Sequence, residues 1–326
     1  MSTLVVVYEL EGNGRTIVSD ALDGAAEAIY LPDLDDAGRA DALRKADAVL
    51  ARTTRELRPG EIALLKDARL LQFINAGIDF VPLAEVPAGV PVATNGGAYA
   101  EPMAEHALAM AFAAAKRLLV EHAALAHGEF NQFARNRMLA GGVCGILGFG
   151  GIGVATARLA RGIGMKVHAI NRRGRSEEPT DWIGTPDELD LLLAASDVLV
   201  ICTPLTPATQ GMVGAAQLAR MKEDAILVNV ARGEIVDERA LYERLVTCPK
   251  FSACIDAWWI EPVRHGTFRM DQPFMSLPNV IGSPHNSAAA IAGTGGTGLR
   301  RAVANIRRVL AGETPLYLVP PEDRMM

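Results

Sequence analysis

The strongest constraint in this sequence is a glycine-rich turn that joins a predicted strand to a predicted helix. Residues 143–153 have the sequence VCGILGFGGIG, an apolar run that ends in the pattern Gly-x-Gly-x-x-Gly, and residues 154–161 suit a helix. A second apolar run follows at residues 166–170, at the distance expected for the next strand. Because the glycine pattern occurs in this context, it predicts a dinucleotide-binding site. The alternative is an ordinary turn without a ligand.

Each position of the glycine turn would have a physical purpose in such a site. Gly148 permits the tight bend, Gly150 lets the backbone approach a pyrophosphate, and Gly153 lets the helix and the strand pack closely. The first turn of the helix also offers N–H groups and the positive end of the helix dipole to the phosphates. Gly151 and Ile152 lie in this first turn, and we expect them to contribute to cofactor binding.

The residues that end the second strand indicate which dinucleotide is preferred. An acidic side chain about 20 residues after the glycines would bind the adenosine ribose hydroxyls and repel a 2′-phosphate. Here that position holds Asn171, and Arg172 and Arg173 follow it. Guanidinium groups are suited to phosphate. The sequence therefore favours NADP, with NAD possible as a second cofactor. A solvated basic turn without a ligand is the alternative.

Composition and charge exclude several other classes of protein. The 326 residues, half of them apolar, are enough for two domain cores. A net charge of -6 without a long basic run argues against nucleic acid or an anionic membrane as the main partner. The alanine-rich stretch 103–120 contains charged residues, so a membrane span is not expected. The start of the chain resembles a first strand, not a secretion signal.

The cysteines and the pattern of apolar runs complete the picture of the fold. Four cysteines without a Cys-x-x-Cys spacing are expected to be reduced thiols in a cytoplasmic protein, with no metal site. Short apolar strands alternate with helical segments over residues 1–98, a long helix is predicted at 99–129, and strands and helices alternate again after it. This alternation predicts an α/β fold with parallel sheets covered on both faces. A last helix, at about 299–310, is expected to return to the first domain.

Three polar residues follow three predicted strands of the second sheet, at the edge where open parallel sheets bind ligands. They are Arg232, Glu261 and His285. A guanidinium can bind a substrate carboxylate with two hydrogen bonds, and an imidazole can exchange a proton near neutral pH. A neighbouring carboxylate would orient that imidazole and raise its affinity for protons. These residue types suit the reduction of a 2-oxo acid, although each residue alone could have a structural role.

Taken together, the motifs resemble those of the D-isomer-specific 2-hydroxyacid dehydrogenases. The resemblance covers nearly the whole chain and lies in the following segments: 148–153, Thr203-Pro-Leu-Thr206 with Thr209, 221–222, 229–237, Asp256 with Glu261-Pro262, and Ser283-Pro-His285. It implies two doubly wound parallel-sheet domains. A flavodoxin-like substrate domain would be formed by 1–98 plus 286–326, and a central Rossmann cofactor domain by 99–285.

The resemblance also implies roles for particular residues. Arg232, Glu261 and His285 would be catalytic. The nicotinamide half of the cofactor would be lined by Thr203, Pro204, the backbone of Val230, Ala231 and Arg232, and Asp256. A substrate carboxylate would bind the backbone of the loop at Asn75, Ala76 and Gly77, and Arg52 stands where some members carry an arginine that faces the substrate, although a surface arginine is an equal alternative.

Two departures from the family pattern affect cofactor binding. The family commonly has an arginine where this chain has Gly151, so one side-chain contact to the pyrophosphate is missing. Its usual aspartate is replaced by Asn171, in agreement with the preference for NADP.

These observations lead to one main hypothesis and two alternatives. We expect an NADPH-preferring reductase of small 2-oxo acids, of the glyoxylate or hydroxypyruvate type, that forms D-2-hydroxy acids. The resemblance further implies a homodimer that pairs through the helix near 100–127. One alternative is a dehydrogenase of the same fold that oxidises formate or phosphite. The other is a cofactor-sensing protein without turnover, against which the three polar residues argue.

Overall fold

The computed structural model describes residues 2–289, 294–320 and 324. The chain divides into two compact units, one formed by 1–99 with 291–326 and the other by 100–290. The boundaries expected from the sequence were after residues 98 and 285. Each unit is described by itself below.

The first unit contains a parallel sheet of short, buried strands. Its strands within the described residues are β1 (Ser2–Val6), β2 (Ala26–Tyr30), β3 (Ala48–Ala51), β4 (Leu70–Phe73) and β5 (Val92–Ala93). Their order is β2-β1-β3-β4-β5, and every ladder between them is parallel. This is the flavodoxin-like order, in which the direction of winding reverses between β1 and β3. The predicted class of the first domain is therefore confirmed.

Two helices precede β3 in the first unit. Helix α1 spans Gly14–Leu22, and helix α2 spans Asp36–Lys45. The side chain of Asp35 accepts a hydrogen bond from the Gly38 N–H and so caps the start of α2. The cap of α2 and the basic residues in its last turn, Arg44 and Lys45, both stabilise the helix through local interactions.

The predicted long helix at 99–129 is two helices. Helix α3 spans Ala100–Ala115 and helix α4 spans Leu118–Ala126, with Arg117 between them at a φ of 54°. A left-handed residue cannot continue a right-handed helix. The break is stabilised by Arg137, whose N–H donates to the Ala115 carbonyl at 2.8 Å and whose own carbonyl accepts from Lys116 Nζ at 2.8 Å. The single-helix prediction was wrong because this contact comes from a distant part of the chain.

The second unit is built on a longer parallel sheet. Its strands in the described chain are β6 (Val143–Leu147), β7 (Lys166–Ile170), β8 (Trp182–Gly184), β9 (Val198–Ile201), β10 (Ile226–Asn229), β11 (Ser252–Ile255) and β12 (Val280–Gly282). Their order is β12-β11-β10-β9-β6-β7-β8, with parallel ladders throughout. Counted from β6, this is the Rossmann order 3-2-1-4-5-6 with one more strand. The winding reverses between β6 and β9.

Short helices connect the strands of the second unit, and a longer helix follows the last strand. They are α5 (Gly151–Gly162), α6 (Leu189–Ala195), α7 (Ala215–Arg220), α8 (Glu238–Thr247), α9 (Pro262–His265) and α10 (Thr294–Leu310). Helix α10 belongs to the first unit, where it packs on α1, β3 and β4 through Leu299, Ala302, Val303 and Ile306. No helix in the described part of the chain has the length and apolarity to cross a bilayer.

Candidate active site

The glycine turn closes tightly around the end of β6. Gly148 has a φ of 103°, and a methyl group on it would lie 2.5 Å from the backbone nitrogen of Thr203. A methyl group on Gly153 would lie 2.4 Å from the Gly148 carbonyl oxygen. The same test on Gly150 finds open space. Two glycines are therefore needed for close backbone packing, and the third leaves an open approach for a ligand.

Helix α5 starts at this turn, and its first backbone N–H groups have no acceptor within the helix. Gly150 is the N-cap, without a side chain, and its carbonyl accepts the first helical hydrogen bond from Val154. The N–H groups of Gly151, Ile152 and Gly153 precede that bond, so the helix itself offers them no acceptor. These residues fit a pyrophosphate, which would be bound by backbone N–H groups and the helix dipole. Such a group would be held without a side chain at Gly151.

Asn171 shapes the basic turn after β7. Its Oδ1 accepts from the Arg173 N–H at 2.9 Å, and its Nδ2 donates to the Arg175 carbonyl at 3.0 Å. These bonds fold the chain back on itself, as Asn side chains do in turns. The side chains of Arg172 and Arg173 stand exposed on this turn. Asn171 therefore organises the loop that carries two guanidinium groups at the end of the strand.

Two further loops follow β9 and β10, at the same edge of the sheet as the glycine turn. The loop after β9 carries Thr203 and Pro204, and Thr209 Oγ1 fixes it by donating to the Pro204 carbonyl at 2.7 Å. The loop after β10 carries Val230, Ala231 and Arg232.

Asn229, the last residue of β10, shapes the loop that carries Arg232. Its buried amide accepts from the Ala231 N–H at 3.1 Å and donates to the Arg232 carbonyl at 2.8 Å. Sequence analysis did not assign Asn229 a role. A buried amide at the end of a strand was the available signal, because such a group must find partners in the adjacent backbone.

Glu261 and His285 are in direct contact. His285 Nδ1 lies 2.8 Å from both carboxylate oxygens of Glu261. The Glu261 side chain is 8% exposed, whereas that of His285 is 32% exposed. The Trp258 N–H also donates to Glu261 Oε1, at 2.7 Å, and helps to fix the carboxylate. A carboxylate only accepts, so Nδ1 carries the proton that it donates to Glu261, and Nε2 is the nitrogen directed elsewhere.

Arg232 lies on the same side of the second unit. A methyl group on Gly233 would lie 2.5 Å from backbone atoms of both Trp258 and Trp259, so the Arg232 loop packs directly on the loop that leads to Glu261. The guanidinium donates from Nη1 to the Ala231 carbonyl at 2.7 Å, and its charge lowers the pKa of Glu261. The structure thus brings a cation, a carboxylate and an imidazole together at the carboxyl edge of one sheet.

The pKa of Glu261 reflects these neighbours. Burial raises the pKa of the carboxyl, but the hydrogen bond and charge of His285, the Trp258 N–H and the charge of Arg232 together hold it below its ordinary value. Glu261 is therefore an anion at neutral pH, and it accepts the hydrogen of His285 Nδ1 as a charged group.

This lowered pKa predicts a pH-dependent contribution to stability. The pKa of Glu261 is lower in the folded chain than in the unfolded chain, where it is about 4.3. The carboxylate therefore stabilises the fold at pH values above the unfolded-state pKa. The contribution is lost as the pH falls through the folded-state pKa. Glu261→Gln should therefore lower the free energy of unfolding more at about pH 7 than at about pH 3, as measured by denaturant titration. An equal loss at both pH values would contradict the assignment.

Asp256 anchors the loop that carries His285. Its carboxylate is fully buried and accepts from Ser283 Oγ at 2.5 Å, from the Asn286 N–H at 3.2 Å and from the Ser287 N–H at 3.3 Å. Asp256 was expected to line the nicotinamide half of the cofactor. The structure adds that both of its oxygens bind the segment on either side of His285.

The predicted substrate residues lie at the carboxyl edge of the first sheet. Arg52 follows β3, where its Nε donates to Glu56 Oε1 at 3.1 Å and its guanidinium carbon lies 4.9 Å from the centre of the Tyr8 ring. The half-buried residues Asn75, Ala76 and Gly77 follow β4. Asn75 Nδ2 donates to the Arg52 carbonyl at 2.8 Å, so the two segments are joined. All of these residues belong to the first unit.

The described residues contain no group of histidine, cysteine and acidic side chains that could hold a metal ion. Cys144, Cys202, Cys248 and Cys254 are free thiols.

Comparisons with known proteins identify the family of this chain. The family model for the NAD binding domain of D-isomer specific 2-hydroxyacid dehydrogenases matches residues 108–287. A glyoxylate/hydroxypyruvate reductase B of Pectobacterium carotovorum is 36% identical over 68% of this chain and 69% of its own. A D-3-phosphoglycerate dehydrogenase of Archaeoglobus fulgidus is 30% identical over 75% of this chain and 46% of its own.

A solved structure agrees with the same relationship. It is a D-isomer specific 2-hydroxyacid dehydrogenase from Xanthobacter autotrophicus in complex with NADPH and MES. It is 25% identical, covers 99% of both chains and has a TM-score of 0.77. The two parallel sheets, the glycine turn at the start of α5 and these matches establish that the chain belongs to the D-isomer specific 2-hydroxyacid dehydrogenases, a family of NAD(P)-dependent enzymes.

Proposed function

We propose that this enzyme reduces small 2-oxo acids of the glyoxylate or hydroxypyruvate type to D-2-hydroxy acids, and that it prefers NADPH to NADH. The contact between Glu261 and His285, with the Arg232 guanidinium beside it, is the observation that carries the proposal. Reduction of a carbonyl beside a carboxylate needs a proton donor and a fixed cation, and these residues supply both. We also propose a cytoplasmic location, because free thiols suit a reducing compartment.

His285 acts as the general acid in this proposal. Glu261 holds Nδ1, so the proton that reaches the substrate comes from Nε2 and is delivered to the carbonyl oxygen. Arg232 binds the substrate carboxylate and polarises the adjacent carbonyl through its charge. When bound, the reduced nicotinamide supplies the hydride that the carbonyl carbon accepts. In the reverse direction, His285 accepts the proton of the 2-hydroxyl group.

The remaining proposed contacts to ligands come from loops at strand ends. Backbone N–H groups of Asn75, Ala76 and Gly77 bind the substrate carboxylate, and Arg52 contacts the substrate. The nicotinamide half of the cofactor binds to Thr203, Pro204, Val230, Ala231 and Asp256. All of these residues follow strands, where ligands of open parallel sheets bind.

A substrate panel tests the proposed reaction. The purified protein is assayed with glyoxylate, hydroxypyruvate and larger 2-oxo acids against NADPH and NADH, and in the oxidative direction with D-3-phosphoglycerate. Turnover of glyoxylate or hydroxypyruvate supports the proposal. Reduction of NADP by formate or phosphite without such turnover would assign the protein to a different hydride donor. Binding of NADPH without turnover of any substrate would favour the cofactor-sensing alternative.

The preference for NADPH is supported by the turn after β7. Asn171 removes the carboxylate that would repel a 2′-phosphate, and its two backbone contacts hold the turn that carries Arg172 and Arg173. A phosphate that accepts hydrogen bonds from guanidinium groups gains about 1.5–3 kcal/mol per charged hydrogen bond. The relative from Xanthobacter autotrophicus was solved with NADPH bound.

Replacing both arginines should change the cofactor preference. Arg172→Ala with Arg173→Ala is expected to raise the Kd for NADPH by at least about tenfold and to change that for NADH by less than about twofold. The reason is that only NADPH carries the 2′-phosphate. Fluorescence titration with both cofactors measures the effect, and Arg239→Ala, at an exposed position of α8, is the control. Equal weakening of both cofactors would rule out this role.

The proposed homodimer is supported by an exposed apolar surface. It comprises Leu118, Leu119 and Leu125 of α4 and Phe130, Phe133 and Met138 of the following segment, each of which is more than half exposed. Helix α4 has nine residues and buries none of them, although a helix this short depends on packing for its stability. Exposed apolar side chains concentrated in one segment of the chain are typical of an interaction site. We propose that a second copy of the chain covers it.

Charged substitutions on this surface should separate the two copies. Leu125→Glu with Phe133→Glu is expected to convert a dimer into a monomer, because two carboxylates would have to be buried in the interface. Light scattering coupled to gel filtration measures the mass. Val246→Glu, at a half-exposed apolar position of α8, should leave the dimer intact. A wild-type protein with the mass of one chain would contradict the proposal.

A further inference from the structure

His285 has a backbone conformation that needs support from its surroundings. Its φ of 52° lies in the left-handed region, which few residues with a side chain adopt. Such a conformation is strained and persists only where neighbouring contacts determine it. The orientation of the imidazole therefore depends on what holds the chain immediately before and after it.

Asp256 holds both sides of His285 at once. Its Oδ1 accepts from Ser283 Oγ, two residues before the histidine, and from the Asn286 N–H directly after it. Its Oδ2 accepts from the Ser287 N–H. Because the carboxylate is fully buried, water does not compete for these hydrogen bonds. The left-handed turn is thus closed around one carboxylate.

Helix α3 supplies the next group in this network. His106 Nε2 lies 2.9 Å from Ser283 Oγ. The Ser283 hydroxyl has one hydrogen, and it donates this to Asp256, since a carboxylate only accepts. Ser283 Oγ must therefore accept from His106, whose Nε2 carries a hydrogen. The result is a directed chain of two hydrogen bonds, from His106 to Ser283 and from Ser283 to Asp256.

We propose that His106 is a positioning residue for the general acid His285, through the hydrogen bonds that join it to Ser283 and Asp256. His106 acts through Ser283 and Asp256: its Nε2 also lies 3.6 Å from Asp256 Oδ1, and its hydrogen bond to Ser283 fixes the rotamer of that hydroxyl and, with it, the carboxylate that closes the turn. The kinetic part of this inference rests on the proposed function of His285.

The loop has a second attachment that is independent of His106. The indole N–H of Trp258 donates to the Ser283 carbonyl at 2.8 Å, and the Ser283 N–H donates to the Ile255 carbonyl at 2.9 Å. These two hydrogen bonds keep Ser283 beside β11 when His106 is replaced. Loss of His106 should therefore shift the turn without unfolding the second unit.

A double-mutant cycle tests the kinetic part. His106→Leu is expected to lower kcat about tenfold for the best 2-oxo acid, since small errors in the position of a catalytic group are costly. The KM for NADPH should change by less than about twofold. His106→Gln, whose amide can donate to Ser283, should recover kcat to within about threefold of wild type. In a His285→Ala background, His106→Leu should have no further effect, because nothing remains to be positioned.

A structural role would give a different pattern from this cycle. If His106→Leu lowers kcat by the same factor with and without His285, or leaves kcat unchanged in the otherwise wild-type enzyme, the inference is wrong. Ser283→Ala should also lower kcat, because it removes the hydroxyl group that joins His106 to Asp256. Ser283→Thr, which keeps the hydroxyl, is its matched control.

A second measurement does not depend on any enzymatic activity. Hydrogen exchange at the Asn286 and Ser287 amides reports their bonds to Asp256, and we expect it to be about tenfold faster in His106→Leu than in wild type. Exchange at wild-type rates would overturn the inference even if the enzyme were active. If the exchange rates rise but no 2-oxo acid is turned over, the network stands and the proposed function fails.

Discussion

His285→Ala should lower kcat for the best 2-oxo acid by on the order of a hundredfold or more, while the Kd for NADPH stays nearly unchanged. A positioned general acid typically accelerates proton transfer by this amount. The imidazole is held by both oxygens of Glu261 at 2.8 Å, and an alanine side chain has no group that could donate a proton from this position. Steady-state kinetics with saturating cofactor measures the loss.

Glu261→Gln is the companion of this substitution. It keeps a side chain that can accept from His285 Nδ1 and from the Trp258 N–H, but it removes the negative charge that faces the imidazole. We expect its kcat to lie between those of wild type and His285→Ala. If His285→Ala turned over substrate as fast as wild type, the general acid would have been assigned to the wrong residue.

Gly148→Ala should nearly abolish cofactor binding. The added methyl group would lie 2.5 Å from the Thr203 nitrogen and 2.7 Å from its Cα, and both are backbone atoms that cannot rotate away. The φ of 103° is itself strained for any residue with a side chain, at a cost of about 1–3 kcal/mol. The turn must therefore open, and the Kd for NADPH should rise on the order of a hundredfold.

Gly162→Ala provides the matched control, because a methyl group there meets nothing within 4 Å at the other end of α5. It should bind NADPH as wild type does. Fluorescence titration measures both variants, and circular dichroism checks that each is folded. Tight binding of NADPH by a folded Gly148→Ala protein would mean that the turn does not receive the pyrophosphate.

Local signals in the sequence predicted most of the scaffold. The glycine turn identified the start of α5, and alternating apolar runs located the central strands of both sheets, because buried parallel strands are continuously apolar. Strands β2 and β8 are not marked by such a run. Both lie at the edge of a sheet, β2 contains Glu27 and β8 has only three residues, so neither produces a long apolar run.

The polar network around the site could be predicted only in part. Arg232, Glu261 and His285 follow strands and carry residue types with an evident chemical use. Other residues have roles that depend on their contacts. His106 and the indole of Trp258 contact residues that are distant in sequence, and Asn229 contacts the backbone of the turn that follows it. Their partners depend on how α3 and the strand-end loops pack, and no spacing rule encodes that packing.

The order of elements along the chain has a consequence for biosynthesis. Strands β3 and β4 leave the ribosome early, but α10, which covers them, is made after the whole of the second unit. The continuous second unit can form its core as soon as β12 has emerged, whereas the amino-terminal sheet stays uncovered by α10 until that helix has also been made. We therefore expect the apolar face of β3 and β4 that α10 covers in the folded protein to stay exposed to water throughout the synthesis of the second unit.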